Sequence, residues 1–492
     1  MTVRVRYAPS PTGHLHIGGV RTALFNFLFA RHHQGSFILR IEDTDSDRFV
    51  PGAEEEMLEG FRWLGMTWDE GPQVGGKYGP YKCTERLDIY RDYLETLKAH
   101  HQVYPCFCTP EELEAEREQA LVAGAGEALK YSGRCRQLSD GERQRRLDAG
   151  EPHSWRFAVP PGQVLALDDV VRGHVEFSTD DMGDFVIVKS DGVPTYNFQV
   201  VIDDALMEIT HVIRGEEHLS NTPRQLLIYQ ALGLDQPSFA HLPQVLNENR
   251  KKLSKRDGNV LPVDAYRERR YEPQALVNFL ALLGWSPGSE EELLSMDELV
   301  ARFDLARVSR SGAVFDVQKL QWMANQYMKQ RDVHELAEGV RQDLERRGIP
   351  LPPGCSATWL ETLVGLYQEQ MACVEEFFEL AKGFFSEVIT WDEESMAVLN
   401  SDSGKQVVHR YLELVESDRG PWNSDASKVR FKQIQKELGV KGRDLYMPVR
   451  AAVTGVLHGR DLQVTIACLP REWVVRRIKQ SLTAPSNYHG EQ

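Results

Sequence analysis

The stretch Pro9-Ser10-Pro11-Thr12-Gly13-His14-Leu15-His16-Ile17-Gly18-Gly19 does most to limit what this chain can fold into. The alternating segment Val3 to Tyr7 before it reads as a strand. Val20 to Phe29 after it reads as a helix, with apolar residues at 20, 24, 27 and 28. A strand, a Gly/Pro-rich turn and a helix in that order point free backbone N–H groups and a positive dipole end at whatever sits in the turn. A phosphate is the natural guest. No Gly-Lys-Ser/Thr closes the turn, so it is not a Walker loop, and the G-x-G-x-x-G spacing of a dinucleotide fingerprint is missing. Histidines stand beside the glycines instead, which points to a phosphate under chemical attack.

A length of 492 residues suggests about three domains. No segment is long and apolar enough to span a bilayer. Ala275 to Trp285 comes closest and is too short. Arg4 and Arg6 interrupt any signal-peptide core at the N-terminus. Seven cysteines do not suit a disulfide framework, so the expected setting is the reducing cytoplasm. The net charge of −16 argues against a general affinity for polyanions. Yet Asn249 to Arg256 packs five basic residues into eight positions, and Val474 to Lys479 forms a second basic patch. Local basic stripes allow one polyanion to be bound while other faces repel it.

Residues 1–72 read as α/β: strand 3–7, the turn, a helix over 20–32, a strand from Phe37 to Ile41 and a helix over 52–64. That βαβ order predicts a parallel sheet. Between 73 and 190 the chain changes character. Gly75-Gly76 and Gly79-Pro80 break it, helices are expected over 85–100 and 110–122, a Gly/Ala linker lies at 123–126, and Val186 to Val188 is strand-like. This reads as an insertion between two halves of one sheet. Residues 191–244 return to α/β, with a strand at Ile209 to Arg214 and a helix over 222–232 opened by Pro223. From 265 onward the periodicity is helical, over 273–284, 317–330, 333–346, 358–385, 404–416, 427–438, 444–457 and 470–481, with no convincing strand. The expected organisation is an α/β catalytic domain from 1–72 and 191–244, an inserted α+β domain at 73–190, a loop and helical segment at 245–325 and an all-helical region at 326–492.

Several motifs in order carry a resemblance. His16-Ile17-Gly18-Gly19 stands where class I aminoacyl-tRNA synthetases have their HIGH motif, and Lys252-Leu253-Ser254-Lys255-Arg256 where they have KMSKS. Arg40 to Asp45, Lys189 to Asn197, Val212 to His218 and Met447 to Gly455 extend the likeness over nearly the whole chain. The chain resembles these synthetases and, more narrowly, the bacterial glutamyl-tRNA synthetases. That likeness implies a Rossmann-like catalytic domain followed by an all-α anticodon-binding region. Gly19 takes the place of the motif's second histidine, which leaves His16, with His14 nearby, to supply its side-chain chemistry. Glutamine-specific relatives typically carry Asp-Asp-Thr-Asn where this chain has Glu42-Asp43-Thr44-Asp45, and a β-barrel where it reads helical. Glutamate is therefore the expected amino acid.

The resemblance implies ATP as a substrate with Mg2+, L-glutamate and tRNA(Glu) as partners, no membrane, and a monomer. It implies two steps, formation of glutamyl-adenylate and transfer to the terminal ribose hydroxyl. ATP is expected against Pro9, Ser10, Thr12, Gly13, His14, His16, Gly18, Gly19, His218, Lys252, Ser254, Lys255 and Arg256. His16, Lys252 and Lys255 are the expected catalytic residues, because the transition state gathers negative charge on phosphate oxygens. Glutamate is expected against Arg6, Ser10, Glu42, Tyr196 and Arg214. Arginines at strand ends suit a side-chain carboxylate, Glu42 the ammonium, and Tyr196 offers a hydroxyl. Taken alone, the lysine run is also readable as a solvated charge cluster, and Arg6 as a strand arginine paired with an acid.

Cys106, Cys108 and Cys135 lie in the insertion. Relatives can hold Zn2+ with Cys-x-Cys, a later Cys and one further ligand. The position two residues after Cys135 is Gln137, a poor ligand, whereas Tyr131 stands four residues before it, where other relatives use a tyrosine. Zinc on Cys106, Cys108, Tyr131 and Cys135, and three ordinary buried thiols, both remain open at this point. In the helical half, Trp422, Arg430, Lys432, Arg443 and Arg450 are of the types that stack on or pair with splayed bases. Enzymes restricted to tRNA(Glu) tend to carry an arginine near Gln370. Its absence here points to acceptance of tRNA(Gln) as well.

Overall fold

A computed structural model describes residues 2–11, 13, 15–45, 50–122, 130–253 and 260–483. The chain divides into two compact units, Met1–Glu268 with Pro273–Leu320, and Arg269–Glu272 with Gln321–Gln492.

In the first unit Arg4–Tyr7 (β1) leads into the helix Ile17–His32 (α1), which returns to Ser36–Leu39 (β2). The two strands are parallel, with Arg4 opposite Ser36 and Tyr7 opposite Leu39. The helix starts at Ile17, not Val20 as the sequence predicted, so Gly18 and Gly19 belong to its first turn. Packing explains the second glycine: a Cβ at Gly19 would lie 2.5 Å from the Tyr7 hydroxyl oxygen. Val20, Leu24, Phe25, Leu28 and Ala30 are all buried, so α1 is covered on nearly every side. The buried Asn26 side-chain NH2 donates to the carbonyls of Thr22 and Ile213.

The insertion follows. Val103–Cys106 (β3) pairs antiparallel with Ser154–Phe157 (β4). Val164–Asp169 (β5) and Gly173–Ser178 (β6) form a hairpin, and Phe185–Val188 (β7) returns antiparallel to β4. The helix Tyr196–Leu206 (α2) then leads to His211–Gly215 (β8), and Thr222–Leu232 (α3) to Ser238–Leu242 (β9). The resulting parallel sheet has the order β2-β1-β8-β9. One chain crossover leaves β1 toward β2 and the later strands build on its other side. The gap beyond the carboxyl ends of β1 and β8 is thus a topological switch point, where open parallel sheets bind ligands. The hairpin tip closes on the sheet edge, where the Val170 amide donates to the Phe239 carbonyl at 2.9 Å.

Several short strands went unpredicted, among them β3 to β6 and β9, and one lies in the stretch from 265 onward that was read as helical. Ala313–Val314 pairs in parallel with Val245–Leu246, and two residues are too few to show alternation.

The second unit is built from helices, among them Val333–Arg346, Ala357–Tyr367, Asp402–Ser417, Ser424–Leu438, Arg443–Thr454 and Arg471–Thr483. Leu363, Val407, Tyr411, Ile434, Val449 and Ile478 lie in one buried cluster. The single helix predicted over 358–385 is broken into Ala357–Tyr367, a tight turn at Gln368–Gln370 and the short helix Glu376–Ala381. Neighbours take over the backbone there. The Asn325 amide donates to the carbonyls of Glu369 and Met371, and the Gln368 amide donates to those of Met328 and Arg331. Among the described residues no helix is long and apolar enough to cross a membrane.

Candidate active site

Two cavities open at the switch point. One, of about 670 Å³, is lined by Arg6, Pro9, Ser10, Glu42, Tyr196, Arg214 and His218 among others. The other, of about 710 Å³, is lined by His16, Arg21, Leu242, Lys252 and Pro262 among others. Gly18, Gly19, Thr22, Gly215 and Glu217 line both. The cavities therefore meet along the first turn of α1 and the end of β8.

The larger cavity is suited to an anion. The first amides of a helix have no acceptor within it, and no side chain caps α1. Val20 is the first to donate back, to the His16 carbonyl at 2.9 Å. The amides before it, at the positive end of the helix dipole, belong to residues that line the cavity. Lys252 lines the same space. Gly13 is described, with a φ of 127°, and lines neither of these cavities. Thr12, His14, Ser254, Lys255 and Arg256 lie outside the described residues. Sequence reasoning passed over Arg21. It is buried, donates to the Pro243 carbonyl at 2.6 Å, and is pushed by burial to about 10 against the pull of Glu217. An arginine just after the glycines, at the start of a mostly apolar helix, was the available signal.

The smaller cavity gathers all five residues predicted for glutamate: Arg6, Ser10, Glu42, Tyr196 and Arg214. His218, predicted for the nucleotide, lines this cavity and not the larger one, as do Pro9 and Ser10. Below them lies a buried network that the sequence did not reveal. The Arg6 Nε donates to Asp204 at 3.0 Å, and Arg40 reaches Asp204 at 2.9 Å, Glu42 at 3.4 Å and Asp203 at 3.6 Å. Asp203 also accepts from Arg86 and from the Tyr90 hydroxyl, both at 2.7 Å. Arg6, Arg40 and Arg86 thus balance Asp203, Asp204 and Glu42. Desolvation of this kind is tolerable only when each charge is paired and hydrogen-bonded.

Arg214 stands outside that balance. Its Nη2 donates to the Thr222 hydroxyl at 2.9 Å, its Nε to the His241 ring at 3.2 Å, and its Nη1 lies 3.4 Å from the Tyr196 hydroxyl. Among the described residues no carboxylate comes within ion-pair distance of it. Burial pulls its guanidinium below the ordinary value. The site therefore holds a desolvated cation facing a cavity, an arrangement that favours an incoming carboxylate. Burial pushes Glu42 up to about 7, despite Arg40 and Arg6. It pushes His218 down to about 4, helped by Arg214 and Arg6, so that imidazole is neutral near neutral pH.

In the insertion the four predicted metal ligands come together. The sulfurs of Cys106, Cys108 and Cys135 lie within 4.8 Å of one another. The Tyr131 oxygen is 3.5 Å from Cys106 Sγ and 3.4 Å from Cys108 Sγ, and Cys108 and Cys135 are 3.6 Å apart. Zinc–sulfur bonds of about 2.3 Å put tetrahedral sulfurs roughly 3.8 Å apart, close to the 3.6 Å between Cys108 and Cys135.

In the helical unit the sequence-predicted RNA contacts separate. Trp422 lies between Arg430 and Arg471, at 5.1 and 5.0 Å, and its ring nitrogen donates to the Leu469 carbonyl. Arg430 is buried against Asp418, and Arg450 is buried and donates to the Arg460 carbonyl. These three are committed inside the unit, whereas Lys432 and Arg443 are exposed.

Residues 2–322 match the family described as tRNA synthetases class I (E and Q), catalytic domain, and residues 331–482 match the anticodon binding domain family. The chain is 50% identical over 485 residues to a glutamate–tRNA ligase of Geobacillus stearothermophilus, covering 98% of each chain. It is 47% identical over 481 residues to the glutamate–tRNA ligase of Bacillus subtilis strain 168, covering 97% of this chain and 99% of that one. Among solved structures it is similar to a glutamate tRNA ligase from Elizabethkingia meningosepticum in complex with its amino acid. The TM-score is 0.90 at 36% identity, over 98% of this chain and 100% of that one.

Proposed function

The chain belongs to the glutamate–tRNA ligases, class I tRNA synthetases of the glutamate and glutamine branch, and from that premise we propose how its residues divide the reaction. The ligase joins L-glutamate to tRNA(Glu) at the expense of ATP, in two steps. First, the α-carboxylate of glutamate attacks the α-phosphorus; a phosphorus–oxygen bond forms as the bond to the β-phosphate bridging oxygen breaks, and pyrophosphate leaves. Second, a terminal ribose hydroxyl attacks the activated carbonyl, loses its proton, and AMP leaves.

The observation that carries the residue assignment is the wall shared by the two cavities. It supports glutamate in the smaller space and ATP in the larger, with the carboxylate and the α-phosphate meeting at Gly18, Gly19 and Gly215. Arg214, with Arg6 and Tyr196 beside it, takes the side-chain carboxylate, and Glu42 the ammonium near Ser10. His16 and the amides of the first turn of α1 stabilise charge developing on the α-phosphate. Lys252 and Lys255, with Ser254 and Arg256 in the same run of sequence, take the leaving pyrophosphate. Thr12 and His14 border the nucleotide. Mg2+ bound with ATP would supply screening of the phosphate charge. Glu217 is the carboxylate that lines this cavity among the described residues, and it is the side chain available to that ion. Zn2+ fits the donor set of Cys106, Cys108, Cys135 and Tyr131, where it would cross-link the insertion.

The partners follow the same reading. The chain acts as a monomer and accepts tRNA(Gln) as well as tRNA(Glu), because Gln370 lies in an exposed tight turn where restricted relatives tend to place an arginine. Charging both RNAs tests this, and no product on tRNA(Gln) ends it. The catalytic assignment is tested by glutamate-dependent ATP–pyrophosphate exchange with tRNA present. Lys255→Ala should lose about 10²–10³ in rate, by analogy with loss of one preorganised donor. A rate within a few-fold of the parent would refute it.

A further inference from the structure

Arg214 is held from behind by groups that neither signature motif contains. The His241 ring is fully buried, and its Nδ1 lies 2.6 Å from an Asp169 oxygen, itself fully buried. Asp169 also accepts the backbone amides of Val171 at 3.0 Å, Arg172 at 2.8 Å and His241 at 3.1 Å. A carboxylate so supplied with donors is an ionised, acceptor-only group. The ring nitrogen facing it must therefore carry the proton. That leaves the lone pair of Nε2 for its other neighbours, the Arg214 Nε at 3.2 Å and the Thr222 hydroxyl at 3.1 Å. Burial works in the same direction by holding the imidazole neutral.

We propose that Asp169 and His241 are positioning residues for glutamate recognition: Asp169 fixes the imidazole tautomer, and the imidazole fixes the Arg214 guanidinium toward the cavity. The arrangement rests on the assignment of Arg214 to the substrate carboxylate. Its chemical sense lies in the charge. A carboxylate placed directly on Arg214 would neutralise it and compete with the substrate. A neutral imidazole anchors the guanidinium and leaves its charge unspent. The pair also draws the insertion into the site, because Asp169 ends β5, and the hairpin tip is fastened to the parallel sheet by Val170 on Phe239 and to the segment before Ala313 by the Arg310 Nε on the Val171 carbonyl at 3.1 Å.

The test is tRNA-supported pyrophosphate exchange by the full-length protein, with KM measured separately for glutamate and ATP, and with thermal unfolding in parallel. Asp169→Asn turns an amide N–H2 toward Nδ1, which forces the ring's proton onto Nε2, against the Arg214 N–H. His241→Phe removes the acceptor altogether. Both should raise the glutamate KM roughly 10–100-fold, the worth of a buried charge-assisted hydrogen bond, with the ATP KM within about two-fold. His241→Gln returns an oxygen near the Nε2 position and should recover much of the loss. A glutamate KM within about two-fold of the parent in Asp169→Asn and His241→Phe overturns the proposal, as does an equal rise in both KM values. Arg214→Ala separates the two layers. If it raises the glutamate KM while Asp169→Asn and His241→Phe do not, only the positioning role fails; if it leaves the glutamate KM unchanged, the Arg214 assignment itself fails. Should a variant not fold, nitrogen-15 spectra of the parent protein's imidazoles decide the matter: an Nδ1–H tautomer at His241 supports the proposal and an Nε2–H tautomer overturns it.

Discussion

Gly18→Ala and Gly19→Ala should behave in opposite ways, although the two glycines are neighbours in one helical turn. Alanine in place of glycine within a helix gains up to about 1 kcal/mol. At Gly18 an added Cβ meets nothing within 4 Å, so that gain is kept and the first unit should become slightly more stable. The new methyl would nevertheless stand in the wall that both cavities share. Overpacking of roughly 1–3 kcal/mol there corresponds to an ATP KM raised about 5–150-fold. At Gly19 the Cβ would lie 2.5 Å from the Tyr7 hydroxyl oxygen and 3.7 Å from the ring carbon that bears it. The first distance falls about 1 Å short of ordinary contact, while the second is ordinary. Relief requires moving the Tyr7 ring, which already stands edge-on to Phe61 at 5.7 Å. Strain of about 1–3 kcal/mol less the helical gain leaves a net loss of roughly 0–2 kcal/mol. Since the hydroxyl alone causes the clash, Tyr7→Phe should restore the Gly19→Ala variant. Urea unfolding of the four proteins of this cycle gives the coupling directly, expected at about 1–3 kcal/mol. Additivity within about 0.5 kcal/mol would refute the reasoning, as would a destabilised Gly18→Ala.

Three further outcomes can be checked. Glu42 has its pKa raised from 4.5 to about 7. The folded chain keeps a proton that the unfolded chain releases between these values, so stability falls as pH rises across that window. Glu42→Gln should flatten that part of the stability curve and abolish the fall in glutamate KM as pH rises through 7; unchanged slopes would count against both. Asp204→Asn leaves the Arg6 and Arg40 guanidiniums short of a buried partner and should cost about 3–5 kcal/mol, read by denaturant unfolding; a loss under about 1 kcal/mol would mean the network is not paired as described. Purified protein should carry about one equivalent of zinc per chain, and Cys135→Ser less than about a tenth; metal analysis showing the parent equally empty removes zinc from the insertion.

What could be read from the sequence was mostly what has a local signal. The strand, glycines and helix of the first thirty residues are visible because propensity, turn chemistry and hydrophobic pattern agree there. That Ser10, Glu42, Tyr196 and Arg214 share one cavity was legible through the motifs that carry them, and Arg6 through its place at the end of the first strand. Asp169, His241, Asp203 and Asp204 were not, because each acts only through partners far along the chain: Asp204 lies 198 residues from Arg6, and Asp169 lies 72 from His241. The break at Gln368–Gln370 was hidden for the same reason, since the amide that takes up the Glu369 and Met371 carbonyls comes from Asn325. The short helix Met296–Arg302 is a different case. Its Ser295–Glu298 capping box was a readable signal that apolar periodicity alone passes over.

The shared wall has a consequence for the intermediate. On the proposed assignment glutamyl-adenylate has an end in each cavity, so it would bind as a bivalent ligand. When one end loosens, the other keeps it near its site at an effective concentration on the order of millimolar or more. Pyrophosphate, cut free by the same step, has no such second anchor. On that reading the division of the site into two cavities alone would favour release of one product and retention of the other.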